Sequence, residues 1–254
     1  MSPPAPPRGP PGRARADRRA ELAAGLARVR SRIAAACAAA GRADSEVTMV
    51  AVTKTYPASD VLALAGLGVV DMGENRDQEA AGKAAEVAAA GATPRWHFIG
   101  QLQRNKCRSV VRYADVVQSV DSVRLTRALD VAALAGRDRP VDVLVQVSID
   151  ADPSRGGALP GSADPDAGLG PVADAVAGAA GLRLAGLMAV APLGWEPQRA
   201  FARLAEVAEA FRAAHPEAVA LSAGMSGDLE AAIRHGATHV RVGSALLGMR
   251  STLR

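Results

Sequence analysis

The chain has 254 residues, 49% of them hydrophobic and 22% charged, the balance of one large α/β domain or two small ones. The net charge is +4, with much of the basic excess in the first 30 residues (Arg8 through Arg30), so the body is close to neutral. No apolar run is long enough to cross a bilayer and no apolar signal segment opens the chain, and basic residues are not interleaved with aromatics or set in a helix-turn-helix or zinc pattern; membrane insertion, export and nucleic-acid binding are not expected, and a cytosolic location is.

Aromatic residues are only 3% of the chain, so Ala, Val and Leu must fill the core. Cys37 and Cys107 stand apart from any metal-ligand spacing and read as reduced thiols. Residues 1–16 are Pro, Gly and Arg with almost nothing to bury, and are expected to form a disordered tail ahead of a single domain over 17–254. From Asp17 to Ala40 the spacing of Leu22, Leu26, Val29 and Ile33 predicts an amphipathic helix, with Gly41 at its C-cap.

A regular alternation follows. Short β-branched runs occur at 47–52, 69–72, 95–99, 115–118, 141–147, 182–190, 218–221 and 238–242. Between them lie helical patterns, among them 76–90, 122–135, 171–180, 197–213 and 227–235. Strand–helix alternation means parallel strands with crossover helices, and eight such strands in this length predict a single-domain (β/α)8 TIM barrel with an extra N-terminal helix. An open doubly wound sheet is the alternative. The Gly, Pro, Asp and Ser of 151–170 predict a long, mobile loop after the fifth strand.

In such a barrel the site lies at the carboxyl ends of the strands. The first strand ends in Val52-Thr53-Lys54-Thr55-Tyr56-Pro57, which sets Lys54 at the mouth. Of 30 basic residues only Lys54, Lys83 and Lys106 are lysines. Where Arg serves every generic need for charge, a retained lysine suggests a need for an amine, the group that forms a Schiff base. Asn75, after the second strand, reads equally as a mouth residue and as a helix N-cap. His97, between Trp96 and Phe98, reads more readily as a core histidine bonded to a neighbour.

The strongest constellation follows the last two strands. Leu221-Ser222-Ala223-Gly224-Met225-Ser226-Gly227 and Val242-Gly243-Ser244 are Gly/Ser loops where barrels bind phosphate. Ser226 and Ser244 also read as ordinary helix caps. In His239-Val240-Arg241-Val242-Gly243, alternation turns Arg241 inward when the valines meet the helices. A buried guanidinium needs a partner: a phosphate, a ring nitrogen, or an internal carboxylate such as Glu74 or Asp71. An amine, a phosphate cradle and an inward Arg together match pyridoxal 5′-phosphate (PLP), with its aldehyde, phosphate and pyridine nitrogen.

The segments VAVTKTYP (50–57), GENRDQE (73–79), WHFIGQLQRNK (96–106), QSVDS (118–122), GLMAVAP (186–192), LSAGMSGDLEAAI (221–233) and HVRVGSALLG (239–248) resemble, in order, those of the pyridoxal phosphate homeostasis proteins, which are similar to the N-terminal barrel domain of alanine racemase. The resemblance implies a PLP Schiff base on Lys54. It also implies phosphate contacts from Ser222, Ser226, Gly243, Ser244 and the backbone of Gly224 and Met225 through Ser226, with Arg241 near the ring nitrogen and Asn75 beside the ring. It implies a monomeric cytosolic PLP carrier, with apo PLP-dependent enzymes as recipients and no metal or dedicated catalysis. Ala223 stands where relatives carry Met, the 151–170 loop is long for the family, and the tail has no counterpart.

Two catalytic alternatives stay open. A PLP-dependent amino-acid racemase would need a second acid/base group opposite Lys54, and the tyrosines are Tyr56, close to Lys54, and Tyr113. A barrel enzyme on a phosphorylated metabolite would use Lys54 as a Schiff-base nucleophile without PLP.

Overall fold

The computed structural model describes residues 11–152 and 155–248. Eight parallel strands close into one barrel in sequence order: β1 (Thr48–Val52), β2 (Asp71–Glu74), β3 (Arg95–Phe98), β4 (Val116–Val120), β5 (Val141–Gln146), β6 (Leu182–Met188), β7 (Ala220–Ser222) and β8 (His239–Val242). The barrel, not the open sheet, is the fold. Most strand residues are buried on both faces, most fully in β4 and β5, as parallel strands under crossover helices must be.

The helices are α1 (Pro11–Ala39), α2 (Ala58–Ala65), α3 (Asp77–Ala89), α4 (Cys107–Val110), α5 (Val123–Gly136), α6 (Leu169–Ala177), α7 (Pro197–Ala214), α8 (Leu229–Arg234) and α9 (Ser244–Leu247). Helix α1 begins at Pro11, six residues ahead of the expected start at Asp17; residues 1–10 of the expected tail lie outside the described residues. The expected stripe of Leu22, Leu26, Val29 and Ile33 is buried in one cluster with Leu246 and Leu247. α9 is a single turn, too short to cover its strand, and α1 supplies the missing apolar face. Arg18–Asp60 (2.7 Å) and Arg32–Glu230 (2.7 Å) fasten α1 to α2 and α8.

The long loop after β5 is well tied. Ala158 donates to Gln146 O (2.7 Å) and Leu159 to Ala167 O (2.8 Å). Asp164 accepts from the N–H groups of Asp166 and Ala167, both at 2.8 Å. Asp and Ser side chains close turns there that composition alone presents as loose.

Alternation divides the barrel wall. Ala51, Met72, Val240 and Val242 face the helices, whereas Val116, Leu144 and Met188 form a small apolar cluster inside. The interior also holds Val50 and Val52, beside Gly73, and the buried polar side chains of His97, Gln118, Ser222 and Arg241, and its upper end carries the candidate site.

Candidate functional site

Lys54 comes two residues after the end of β1. Thr53 faces the helices: its Oγ1 donates to Glu74 Oε1 (2.6 Å) and its carbonyl accepts from Lys83 Nζ (2.8 Å). The next residue therefore opens to the mouth. Lys54 is exposed, and its side chain bonds to no described residue. The other two lysines are engaged. Lys83 is buried against Glu74 (2.6 Å) and Glu79 (3.0 Å), and Lys106 lies 3.9 Å from Asp77. Lys54 is thus the lysine whose amine is free among the described residues.

Strand order brings the other loops beside it. Thr53 N–H donates to Gly73 O (2.9 Å), which places Asn75 next to the end of β1. Asn75 does not cap α3, whose N-cap is Arg76, and its side chain bonds to no described residue. Gly100 makes room for it: a Cβ there would come within 2.1 Å of Asn75 O. On the other flank, Ala51 pairs with Val242, and Gly243 packs near Val52, 3.5 Å from a built Cβ.

The two serine loops meet. Ser226 Oγ accepts from Ala245 N–H (3.3 Å), joining the β7–α8 and β8–α9 turns. Neither Ser226 nor Ser244 is an N-cap, since Asp228 and Gly243 hold those positions. Gly224 adopts φ +87°, and its carbonyl accepts from Arg241 N–H (3.0 Å). Only a residue without a Cβ fits, because one would lie 2.6 Å from Ala232 Cβ.

Two expected phosphate contacts are corrected. Ser222 is fully buried, and its hydroxyl proton goes to Gln118 Oε1 (2.7 Å), so no donor remains for an anion. Met225 N–H donates to Asp228 Oδ1 (2.6 Å) and is likewise spent. Gly224, Ser226, Gly243 and Ser244 are the remaining candidates for a phosphate cradle.

Arg241 is inward and buried, as the valine alternation predicts. Its partners are neutral: Ser222 O (2.9 Å), Ser222 Oγ (2.8 Å) and Ala189 O (2.9 Å). The carboxylates read as alternative partners are engaged elsewhere, Glu74 with Lys83 and Asp71 with His97. Burial lowers Arg241 to about 10, which leaves it charged at neutral pH. Those bonds use three of the five N–H donors of a guanidinium. A buried cation with spare donors and no ion-pair partner fits a ligand carrying an acceptor, such as a pyridine nitrogen or an anion.

The sequence reading missed what holds Arg241. From Arg241 the bonds run through Ser222 Oγ to Gln118 Oε1, from Gln118 Nε2 to His97 Nδ1 (2.8 Å), and from His97 Nε2 to Asp71 Oδ1 (2.8 Å). The chain fixes His97 with its proton on Nε2 and crosses the barrel interior. His97 is thus a core histidine bonded to neighbours. The signal for Gln118 was present, since a polar side chain between Val117 and Val120 in a buried strand needs a partner.

A family model for the alanine racemase N-terminal domain matches residues 25–251. A pyridoxal phosphate homeostasis protein of Mycobacterium leprae is 46% identical over 225 residues, 83% of this chain and 85% of that one. The chain belongs to the pyridoxal phosphate homeostasis protein family. PipY of Synechococcus elongatus, solved with PLP bound, is 32% identical with a TM-score of 0.72, covering 89% of this chain and 100% of that one. Alanine racemase of Clostridium difficile, 14% identical with a TM-score of 0.65, spans 92% of this chain but 58% of its own, and shares the fold alone. The family's barrel thus carries, in this chain, a free lysine, a Gly/Ser cradle and a buried arginine at one mouth.

Among the described residues no helix is long and apolar enough to cross a membrane. Cys37 and Cys107 are free and buried, and burial pushes the Cys107 thiol up to about 11, so both read as unreactive thiols.

Proposed function

We propose that this protein holds PLP through a Schiff base on Lys54 and acts in PLP homeostasis in the cytosol, as a carrier without dedicated catalysis. The observation that carries the reading is the amine of Lys54, bonded to no described residue and set between Asn75 and the Gly243–Ser244 turn, while Lys83 is buried in ion pairs and Lys106 lies out on α3's flank near Asp77. When bound, PLP supplies an aldehyde whose carbon becomes doubly bonded to the Lys54 nitrogen as its oxygen leaves in water.

The chain's own residues do the rest. Ser226 and Ser244 hydroxyls, with the close backbone of Gly224 and Gly243, hold the phosphate. Arg241 turns its spare N–H donors to the ring nitrogen, and Asn75 flanks the ring. Ser222 acts one step back, as the support of Arg241.

Two features support a carrier over a racemase. A guanidinium facing the ring nitrogen disfavours its protonation, which weakens the ring as an electron sink. Neither tyrosine offers a second base: Tyr56 donates to Gly248 O (2.6 Å), and burial pushes the Tyr113 phenol far above its usual range. The recipients are apo PLP-dependent enzymes, and the carrier works as a monomer.

The test is borohydride fixation of the PLP-loaded protein followed by peptide mapping, beside visible spectra of the parent and Lys54→Ala. The label is expected on Lys54 alone. Lys54→Ala is expected to stay unlabelled and colourless, with stability within about 0.5 kcal/mol of the parent. A label retained on Lys83 or Lys106 overturns the assignment. Saturable, stereospecific exchange of an amino acid's α-hydrogen overturns the carrier reading.

A further inference from the structure

The Lys54 side chain bonds to no described residue, but both of its peptide neighbours are fastened to one ionic group, buried at Lys83 and Glu74. On one side, Thr53 gives its hydroxyl to Glu74 (2.6 Å) and receives Lys83 Nζ on its carbonyl (2.8 Å). On the other, Thr55 N–H donates to Glu79 Oε1. Lys83 ties the sides together through Glu74 (2.6 Å) and Glu79 (3.0 Å). Its three N–H donors are thereby saturated, and its side chain is 5% exposed. Glu79 and Lys83 lie one turn apart at the start of α3, facing the end of β1.

The turn they hold is strained. Thr55 has φ +68°, a left-handed conformation that a β-branched residue keeps only when its surroundings impose it. Two contacts impose it here: the Tyr56 N–H on Thr53 O (3.0 Å), which closes the turn, and the Glu79 carboxylate on the Thr55 N–H. Simple packing of α3 against β1 does not call for ions, since apolar residues of similar size cover such a seam at least as well. The ions act on the backbone, and the backbone they act on is that of Lys54.

We infer that Glu79 and Lys83, anchored on Glu74, are positioning residues that hold the Thr53–Lys54–Thr55 turn in the conformation that presents the Lys54 amine to the mouth. The inference rests on Lys54 as the PLP lysine. An exposed lysine has many rotamers to lose on reacting, and fixing its Cα–Cβ direction beforehand reduces that loss. Glu79 and Lys83 touch neither the cofactor nor the reacting nitrogen, and they act through the peptide units on either side.

The experiment follows PLP uptake by the full chain, as the growth of the visible band and as borohydride-fixed label on Lys54, alongside thermal melts. Glu79→Ala is expected to lose about tenfold in both apparent affinity and rate of uptake. Glu79→Gln, whose amide oxygen still accepts the Thr55 N–H, is expected to recover most of the loss. Thr55→Gly added to Glu79→Ala is expected to restore uptake, because glycine adopts a positive φ without help. That rescue separates positioning from a general stability role, since it returns the turn without returning the Lys83–Glu79 ion pair. Where Glu79→Ala melts below the assay temperature, Glu79→Leu keeps the packing and removes the acceptor together with the Lys83 ion pair. Parent-like uptake by the truncated variant, or failure of Thr55→Gly to rescue it, overturns the inference and leaves the Lys54 assignment intact. A parent protein that takes no label on Lys54 overturns the assignment itself.

Discussion

The two ends of the barrel are made of similar residues and use them in opposite ways. At the amino-terminal end the charges neutralise one another. Asp142 lies 2.5 Å from Arg95 and 2.6 Å from Arg183, Asp115 lies 2.6 Å from Arg139 and 3.2 Å from Arg137, and Asp71 lies 2.8 Å from His97. At the carboxyl end Lys54 and Asn75 bond to no described residue, and Arg241 keeps spare donors above a bed of neutral carbonyls. A folded chain satisfies its polar groups where it needs only to be stable. Capacity left over, gathered at one mouth, marks the end that a ligand completes.

The largest test of this contrast is Arg241→Leu. The substitution strips donors from Ser222 O, Ser222 Oγ and Ala189 O inside a dry barrel and ends the bond chain to Asp71. The expected cost is about 4 kcal/mol in chemical denaturation, with PLP affinity lowered as well. A variant as stable as the parent would mean that those carbonyls find other donors, and that the upper end is as self-sufficient as the lower.

The sequence shows which residues face the mouth better than it shows what they bond to. Strand–helix alternation suffices for the barrel, and the place of Lys54 just past the first strand suffices to expect it at the mouth, where it is exposed. The valines flanking Arg241 give its direction. Ser222 illustrates the limit. Its place in the loop is legible, but the choice between an anion and Gln118 is made by a residue 104 positions away. Met225 fails in the same way at short range, because a turn brings the Asp228 carboxylate onto its N–H. The role of Lys83 is only partly legible in its own helix, since beside Glu79 its partners are Thr53, just past β1, and Glu74 of β2. The boundary of α1 was misplaced because Pro and Gly are weak helix formers by propensity, and the six residues from Pro11 to Ala16 nonetheless continue the helix.

An intermediate effect belongs to the lower end and depends on pH. Burial above all lowers His239 from its usual 6.5 to about 4. Between those values the unfolded chain takes up a proton that the folded chain refuses. Stability is therefore complete above pH 6.5 and falls as pH drops toward 4. The expected loss at this one site is roughly 2 to 3 kcal/mol, read as the shift in urea midpoint between pH 7.5 and about 4.5. His239→Gln is expected to flatten that part of the profile, and an unchanged slope would place the titration elsewhere.

The smallest expected effect is the most discriminating for the contrast. Burial alone would push the Asp142 carboxyl up, but Arg183 and Arg95 outweigh it and hold Asp142 below the usual carboxylate range. Both guanidinium groups are well exposed, at 40% for Arg95 and 68% for Arg183, so solvent screens most of that attraction. Asp142→Ala is therefore expected to cost only about 1 kcal/mol, and less at high salt. Its arginines return to water and leave nothing buried and unpaired. PLP uptake on Lys54 is expected to be unchanged, because Asp142 opens β5 at the end of the barrel opposite the mouth. A clear loss of uptake, with stability lowered by no more than this amount, would show that the lower end is coupled to the site. Division of labour along the barrel axis would then be the wrong account.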